Sequence, residues 1–329
     1  MISVIIVFRN EEKYIVNCIK SIEQQFNDKD KWELLLIDGK STDKSILVAQ
    51  KYLKKANINF RIIVNEKKIL ASGWNIGIKE AKGNYVIRPD AHATLHKNYI
   101  KEGIKTLEDM PEVTAVGGIL ETKANGFWGN IIKVALSSKV GVGNSSFRTA
   151  TKSGFADTAV FAVYRKSIFE KVGYFNEKLV RHQDNDMHKR IKDAGGKFFL
   201  NINMKADYYC RDTIPKLLKQ MFNIGKYLPM LFGKSSFSIR HLIPFLFISS
   251  LLILLFLGQL FNPMMFFAAT IYLFYLLIVF IDSLINSIKT KNIFVLLNIF
   301  IIPLMHLSYG LGTIFGFFKI GFSKIKLGV

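Results

Sequence analysis

The sequence predicts an α/β domain built on a parallel sheet, followed by a helical region apolar enough to enter a membrane. Three observations predict it. Strand-like and helix-like segments alternate from Ile2 to Ile87. The strand-like segments are continuously rather than alternately apolar, which marks strands covered on both faces. From Leu242 onward, Leu, Ile, Phe and Val dominate the chain.

Ile2 to Phe8 is the first apolar run, followed by the polar loop Arg9-Asn10-Glu11-Glu12. Tyr14 to Gln25 has helical periodicity. Trp32 to Ile37 is a second strand, ending in Asp38-Gly39-Lys40-Ser41-Thr42-Asp43. Ser41 or Thr42 can cap the next helix, with Asp43 in its first turn, where the helix dipole favours an acid. Ile46, Ala49 and Leu53 form that helix's apolar face. Phe60 to Val64 is a third strand, Ser72 to Ala81 a third helix, and Tyr85 to Ile87 the central strand. This order implies right-handed crossovers, with the C-terminal loops of the strands along one edge. Arg9, Asn10, Asp38, Asp90 and His92 are therefore expected at one crevice, where open α/β sheets bind ligands.

The chain is organised around Asn84-Tyr85-Val86-Ile87-Arg88-Pro89-Asp90-Ala91-His92. Pro89 has no N–H to donate and ends the ladder. A carboxylate and an imidazole then stand one residue apart. Two such ligands can hold a divalent cation, which in turn can hold a diphosphate. The competing reading is a surface turn that carries both by chance.

Asn98 to Met110 reads as a helix and Val113 to Val116 as a strand. Phe127 to Lys152 is poorly patterned and rich in Gly, Ser and Asn; such long loops are functional lids or disordered. Ala159 to Tyr164 is another strand, and Gly173-Tyr174-Phe175-Asn176 a turn. Arg181 to Ile191 opens a helix that ends near Gly195-Gly196, with acids early and bases late.

The net charge is +20 over 329 residues. Such a charge suits nucleic acid or an anionic membrane surface. No zinc-finger, RRM-type or helix-turn-helix signature is present, which argues against nucleic acid. The two cysteines, Cys18 and Cys210, form neither a metal pattern nor a disulfide framework, so a reducing compartment is expected. Cys18 shares helical spacing with Ile15, Ile19 and Ile22 and is expected in the core. The start, Met1-Ile2-Ser3, has no basic signal-peptide segment.

Residues 212–240 mix Leu, Met and Phe with Lys216, Lys219, Lys226, Lys234 and Arg240, as an amphipathic interfacial segment does. Residues 241–329 carry two apolar stretches of spanning length, Leu242 to Phe261 and Met264 to Ile281. A third, Ile293 to Phe318, contains Pro303, His306, Gly310 and Gly312, and is expected to span or to re-enter at Pro303. The positive-inside rule puts the basic segment, Lys289 and Lys291 in the cytoplasm. A third full span would put Lys319, Lys324 and Lys326 outside, against the rule.

With these residues in view, the chain resembles the family 2 glycosyltransferases, inverting enzymes of the nucleotide-diphospho-sugar transferase (GT-A, Rossmann-like) fold. The resemblance covers roughly residues 1–200. It rests on Ser3-Val4-Ile5-Ile6-Val7 with Asn10-Glu11, on Asp38-Gly39-Lys40-Ser41-Thr42-Asp43, and on Gly73-Trp74-Asn75-Ile76-Gly77. Asp90-Ala91-His92 takes the place of the family's D-x-D motif and Gln183-Asp184 that of its E-D pair. Arg88-Pro89-Asp90-Ala91-His92-Ala93 and Gly141-Val142-Gly143-Asn144-Ser145 are similar to the succinoglycan-type transferases, which extend lipid-linked sugars for exopolysaccharide. Three departures stand out. His92 replaces the second Asp of D-x-D, Gln183 replaces the Glu of E-D, and the Q-x-x-R-W motif of processive synthases is reduced to Gln220.

The resemblance implies a GT-A domain over residues 1–211. It implies Asp184 as the base that deprotonates the acceptor, with Asp186 as competitor and a helix N-cap as the plain alternative for Asp184. Residues i and i+2 on a helix point in nearly opposite directions, so only one of the two acids can face the cleft. Asp90 and His92 would hold Mn²⁺ or Mg²⁺. Arg9, Asn10, Glu11, Asp38, Asn75 and Arg88 are the donor-side candidates, with Asp38 similar to the family's uracil-binding acid. Arg148, Arg211 and Lys226 are candidate diphosphate clamps on the acceptor side. The expected activity is transfer of one sugar from a nucleotide-diphospho-sugar, a UDP-sugar first, to a polyprenyl-diphosphate-linked saccharide at the cytoplasmic membrane. The competing readings are transfer onto polyprenyl phosphate itself and a non-catalytic, nucleotide-sugar-binding membrane protein.

Overall fold

The computed structural model describes residues 1–27, 30–143, 146–232 and 242–326. The chain divides into two compact units. One comprises Met1–Glu121 and Ser146–Tyr209, the other Thr122–Ser145 and Cys210–Val329.

The first unit begins with β1 (Ile2–Phe8), α1 (Ile15–Glu23), β2 (Trp32–Asp38), α2 (Ser45–Lys55), β3 (Phe60–Val64), α3 (Leu70–Glu80) and β4 (Tyr85–Ile87). β1, β2, β3 and β4 pair in parallel in the order β3-β2-β1-β4. The continuous apolarity of β1 and β2 has the expected cause. Val4, Ile6, Phe8, Leu34 and Leu36 join a cluster with α1 and α2 on one face. Ile5, Val7, Leu35 and Ile37 join α3 residues on the other. The glycines Gly73 and Gly77 let α3 lie against β1: a Cβ on either would run into Val7 or Ile5.

β5 (Ala93–Leu95), α4 (Tyr99–Asp109) and β6 (Val113–Lys123) follow. β6 is much longer than the four-residue strand read from the sequence, and its end passes into the second unit. There the chain forms α5 (Gly126–Ala135) and α6 (Lys139–Val142), so the unpatterned stretch is helical over much of its length. Its period was hidden because α5 mixes glycines with apolar residues and buries Ile131, Ile132 and Ala135. Asn144 and Ser145 lie outside the described residues.

The chain returns to the first unit with α7 (Ser146–Thr149), β7 (Gly154–Ala156), β8 (Val163–Arg165), α8 (Ser167–Val172), α9 (Gln183–Asp193) and β9 (Lys197–Tyr209). β8 pairs antiparallel with β4 and β6, and the sheet order is β3-β2-β1-β4-β8-β6-β9-β5, with β7 beside β9. The parallel half therefore has β1 at the point where the strand order reverses, the place such sheets bind ligands.

The second unit continues with α10 (Ile214–Tyr227), a 3₁₀ turn at Leu228–Leu231, α11 (Ile243–Gly258), α12 (Asn262–Thr290), a 3₁₀ turn at Ile293–Leu297 and α13 (Asn298–Lys326). The amphipathic reading covers α10, which buries Leu217, Met221 and Gly225. Lys234 and Arg240 lie outside the described residues. α12 and the Ile293–Lys319 stretch are long and apolar enough to cross a membrane. α11 has 16 residues, about 24 Å at 1.5 Å per residue, less than the roughly 30 Å of a hydrocarbon core. The third stretch, expected to span or to re-enter at Pro303, is a single helix through that residue. α13 runs through it, losing only the one hydrogen bond that proline cannot donate. The boundary drawn at residue 211 also needs revision, since 122–145 clusters with the helical unit.

Candidate active site

The loops after β1 and β2 are stitched together by their own polar groups. Asn10 adopts a positive φ of 59°. Its side-chain oxygen accepts from the Thr42 N–H at 2.8 Å, and its own N–H donates to Ser41 Oγ at 3.0 Å. The Glu11 N–H donates to Ser45 Oγ and that of Glu12 to Asp43. Asp38, buried, accepts the Ser41 N–H at 3.1 and 3.2 Å on its two oxygens. Asp43 accepts from Ser45, as a helix-start acid should. The backbone before Glu11 is thus pinned, and its side chain is aimed at the loop after β4.

There it meets His92. Glu11 Oε1 lies 3.3 Å from His92 Nδ1, and Asp90 Oδ2 lies 4.0 Å from His92 Nε2. A carboxylate at this distance orients the imidazole, with Nδ1 turned to Glu11 and Nε2 to the Asp90 side. Burial pushes the Asp90 carboxyl up; His92 and Arg88 oppose that, and Asp184 and Glu11 add to it. An acid driven towards its neutral form by burial and neighbouring acids, with an imidazole and a second carboxylate beside it, is a donor set that suits a cation. Asp90 and His92 thus fit a divalent metal. Tyr208 flanks His92 with ring centroids 5.2 Å apart, and the Arg148 guanidinium lies 5.9 Å from the same tyrosine ring.

Arg88 is the centre of the second cluster. It is 5% exposed and pairs with Asp184. Its guanidinium lies 4.0 Å from the Trp74 ring centroid and 4.9 Å from that of Phe175. It donates to Tyr164 Oη at 3.2 Å, and that hydroxyl lies 2.8 Å from His188 Nε2. Thr158 Oγ1 completes the row, 2.7 Å from His188 Nδ1. Burial pushes His188 down to about 4, so it is a neutral structural histidine at ordinary pH. Asp184 and Tyr164 keep Arg88 charged against the desolvation that opposes it.

The two acids of α9 separate as their spacing requires. Asp184 keeps 43% of its side chain exposed. The Asp186 side chain is 12% exposed and accepts from Arg190 Nε at 3.1 Å. Arg190 in turn donates to the Val172 and Tyr174 carbonyls. Asp186 is therefore tied into the framework. Gln183 is buried, and its Oε1, like Arg88 Nε, has no hydrogen-bond partner.

Asn75 spends its amide on a loop. Its nitrogen donates to the Phe175 carbonyl and Glu177, and its oxygen accepts the Phe175 N–H at 2.8 Å. Asn75 thus orients that loop, and the loop holds Phe175 against Arg88. Arg211 and Lys226 belong to the second unit, where Lys226 Nζ lies 5.2 Å from the Phe315 ring. Cys18 is buried in the core, as its spacing suggested. Trp74, Phe175, Tyr164, His188 and Tyr208 were missed as site residues. Only Trp74 carried a signal, from its place between Gly73 and Gly77.

A different trio, His96, Glu121 and Asp207, also brings possible ligand atoms within 4.8 Å of one another. His96 already pairs with Asp207 at 2.9 Å, and Lys205 Nζ lies 3.8 Å from Glu121. A cation is thus already supplied there by the chain.

Comparison with known proteins follows the same lines. The chain is 32% identical over 317 residues, 94% of its length and 95% of the relative's, to the dolichyl N-acetyl-alpha-D-glucosaminyl phosphate 3-beta-D-2,3-diacetamido-2,3-dideoxy-beta-D-glucuronosyltransferase of Methanococcus voltae. It is 25% identical over 68% of its length and 67% of the relative's to the succinoglycan biosynthesis protein ExoA of Rhizobium meliloti. The fold is similar to that of the mannosyltransferase PcManGT from Pyrobaculum calidifontis, solved in complex with GDP-Man and Mn2+. The TM-score is 0.62 at 15% identity, over 92% of this chain and 86% of that one. The glycosyl transferase family 2 model matches residues 3–173, more than half the chain. The chain belongs to glycosyl transferase family 2.

Proposed function

We propose that the protein is a membrane-bound, inverting glycosyltransferase that moves one sugar from a nucleotide-diphospho-sugar to a lipid-linked saccharide. The observation that carries the mechanism is the state of Asp184. Its carboxylate is half exposed, gripped on Oδ1 by the buried Arg88, and close enough to Asp90 to act on its charge. Oδ2 is then the oxygen offered to the acceptor hydroxyl, whose proton it takes as the glycosidic bond forms and the nucleoside diphosphate leaves. The 12% exposure of the Asp186 side chain and its bond from Arg190 support Asp184 over Asp186 in that role. A base of this kind contributes roughly 10² to 10⁴ in rate.

Asp90 and His92 would hold the divalent metal, Mn²⁺ or Mg²⁺, with Glu11 orienting the imidazole. The metal supplies Lewis-acid neutralisation of the leaving diphosphate. Arg148, beside Tyr208, is the diphosphate clamp supported by position in the first unit. Asp38 keeps lone pairs beyond its bonds to Ser41, which supports a UDP-sugar as donor.

The Methanococcus voltae relative acts on a dolichyl-linked N-acetylglucosaminyl phosphate and matches nearly the whole chain, which supports a lipid-linked sugar as acceptor. α12 and α13 support a membrane location by length and apolarity. The basic side chains of α10, with Lys289 and Lys291, support a cytoplasmic catalytic unit. The test is transfer of radiolabelled sugar from UDP- and GDP-sugars onto polyprenyl-linked saccharides and onto polyprenyl phosphate. Label on the saccharide, dependent on added metal, is the expected result. Label on bare polyprenyl phosphate would move the acceptor one step earlier. Nucleotide-sugar binding without turnover on any acceptor would make the protein non-catalytic.

A further inference from the structure

The helical unit carries an aromatic cluster that the sugar chemistry does not use. Phe127 and Trp128, at the start of α5, are exposed, with ring centroids 5.2 Å apart. Phe127 also packs edge-on against Phe294 at 5.1 Å. Phe294 and its neighbour Ile293 are exposed as well, at 55% and 66%, and so is Ile288 in the last turn of α12. Lys289 and Lys291 are exposed beside them. All of these residues belong to the second unit.

The cluster is held in place. Lys291 ends α12 in the left-handed region, with φ of 52°. The Asn292 N–H donates to the Ser287 carbonyl at 3.1 Å, and the Asn292 side chain accepts the Phe294 N–H at 3.0 Å. The segment bearing Trp128 is fastened to the long helices at three points. Ser138 Oγ donates to Asp282 at 2.7 Å, Asn298 Nδ2 to the Ile131 carbonyl at 3.3 Å, and His306 Nε2 lies 3.2 Å from the Gly141 carbonyl.

The position along α12 says what covers this face. α12 has 29 residues, about 44 Å at 1.5 Å per residue, close to the roughly 40–45 Å of a bilayer with its headgroup layers. Its end, where the aromatic rings and lysines gather, then falls in a headgroup layer. Tryptophan favours that depth because its ring is apolar and its N–H can bond to water or headgroups, phenylalanine adds apolar contact on the chain side, and lysines there meet anionic lipid. We propose that Phe127, Trp128, Ile293 and Phe294, flanked by Lys289 and Lys291, form an interfacial anchor seated in the headgroup layer of an anionic bilayer. The proposal rests on the reading of α12 as a membrane span.

The experiment uses the full chain in vesicles of phosphatidylcholine and phosphatidylglycerol. Some vesicles carry lipid brominated near the headgroup, others lipid brominated near the chain ends. Three tryptophans report; Trp32 and Trp74 lie in the first unit and Trp128 in the second. The expected result is a quenched component with headgroup-proximal bromine, weaker with chain-end bromine and lost in Trp128→Phe. Equal lipid quenching of the wild type and Trp128→Phe, in protein that resists alkaline extraction, would overturn the anchor and leave the span intact. So would quenching of Trp128 by aqueous iodide without quenching by lipid, as expected if a second copy or water covers the face. Release of the wild type by alkaline extraction would instead defeat the membrane reading itself.

Discussion

The two edges of the parallel sheet treat a carboxylate in opposite ways. At the N-terminal edge, Glu33 is buried and fully engaged. Oε1 accepts from Ser3 Oγ at 2.7 Å and the Lys82 N–H at 2.6 Å, and Oε2 pairs with Arg61 at 3.0 Å. Burial alone would raise its carboxyl, but these donors hold it below the usual range. At the C-terminal edge, Asp184 is gripped on one oxygen and open on the other, and Arg88 Nε and Gln183 Oε1 remain unsatisfied nearby. A fully satisfied acid stabilises a fold. One satisfied on a single side is held in position yet free to take a proton. The same sheet provides both because its helices and crossover turns close one edge, while the loops after β1, β2 and β4 leave the other open.

That contrast can be broken at either end. The largest effect is expected from Asp184→Asn, which should lower transfer by roughly 10² to 10⁴ while nucleotide binding survives, with some loss of thermal stability because the buried Arg88 loses its ion-pair partner. Asp186→Asn should leave turnover within a few-fold and cost only stability, through its bond from Arg190. Dead Asp186→Asn with active Asp184→Asn, in a single-turnover assay, would reassign the base.

Glu33→Gln should do the reverse. Three donors converge on two carboxylate oxygens, and an amide offers only one acceptor while adding a donor. A loss of about 2 kcal/mol is expected, discounted because Arg61 is a third exposed. The sign with pH follows from the lowered carboxyl. Its stabilisation is complete above the ordinary Glu value and disappears as pH falls through the folded one. Chemical denaturation of wild type and variant at pH 7 and pH 4 reads this, and unchanged kcat separates it from the other edge.

His188 sharpens the comparison from inside the site. Its folded value near 4 lies below the ordinary histidine value, so the unfolded chain binds the proton first. Stability should therefore fall as pH drops from about 6.5 to about 4, by up to roughly 3 kcal/mol. His188→Gln should flatten that slope. A slope equal to wild type in paired melting curves would show that His188 is not buried neutral.

The smallest expected effect is a change of metal preference. Imidazole suits Mn²⁺ better than Mg²⁺, so His92→Asp should move the Mn²⁺/Mg²⁺ activity ratio towards Mg²⁺. Glu11→Gln should weaken Mn²⁺ binding in calorimetry, since an amide holds the ring less firmly than a carboxylate. An unchanged ratio in His92→Asp would leave Asp90 as the side-chain ligand.

How much of this was legible depended on whether the signal was local. β1 and β3 match their predicted runs residue for residue; β1 is apolar on both faces and leaves an unbroken trace, while β3 is read from Phe60, Ile62, Ile63 and Val64 despite Arg61. The loops carrying Asn10, Asp38 and Asp90 were found for the same reason. β9 went unread although it was legible: the alternation of polar and apolar residues in KFFLNINMKADYY is the trace of a half-buried antiparallel strand, a different signal from the unbroken runs of β1 and β2. The strand placed at Ala159 to Tyr164 lies at Val163–Arg165 instead, with Tyr164 facing the core beside Arg88. The Arg88 cage was illegible because its members come from α3, β4, β8, the loop after α8 and α9. No spacing within one segment encodes a meeting of five.

The passage of Thr122–Ser145 into the helical unit has a practical side. A gene cut after residue 211 looks like the way to a soluble catalytic fragment, but that fragment would retain α5 without α10 or α13. Ile131, Ile132 and Ala135, buried in the same cluster as Leu217, Ile301 and Met305, would then face water. Such a fragment should aggregate however well its sheet folds. Excising 123–145 as well, and bridging the gap with a short flexible linker, should yield the soluble form. In this chain, separating the two units takes two cuts and a splice.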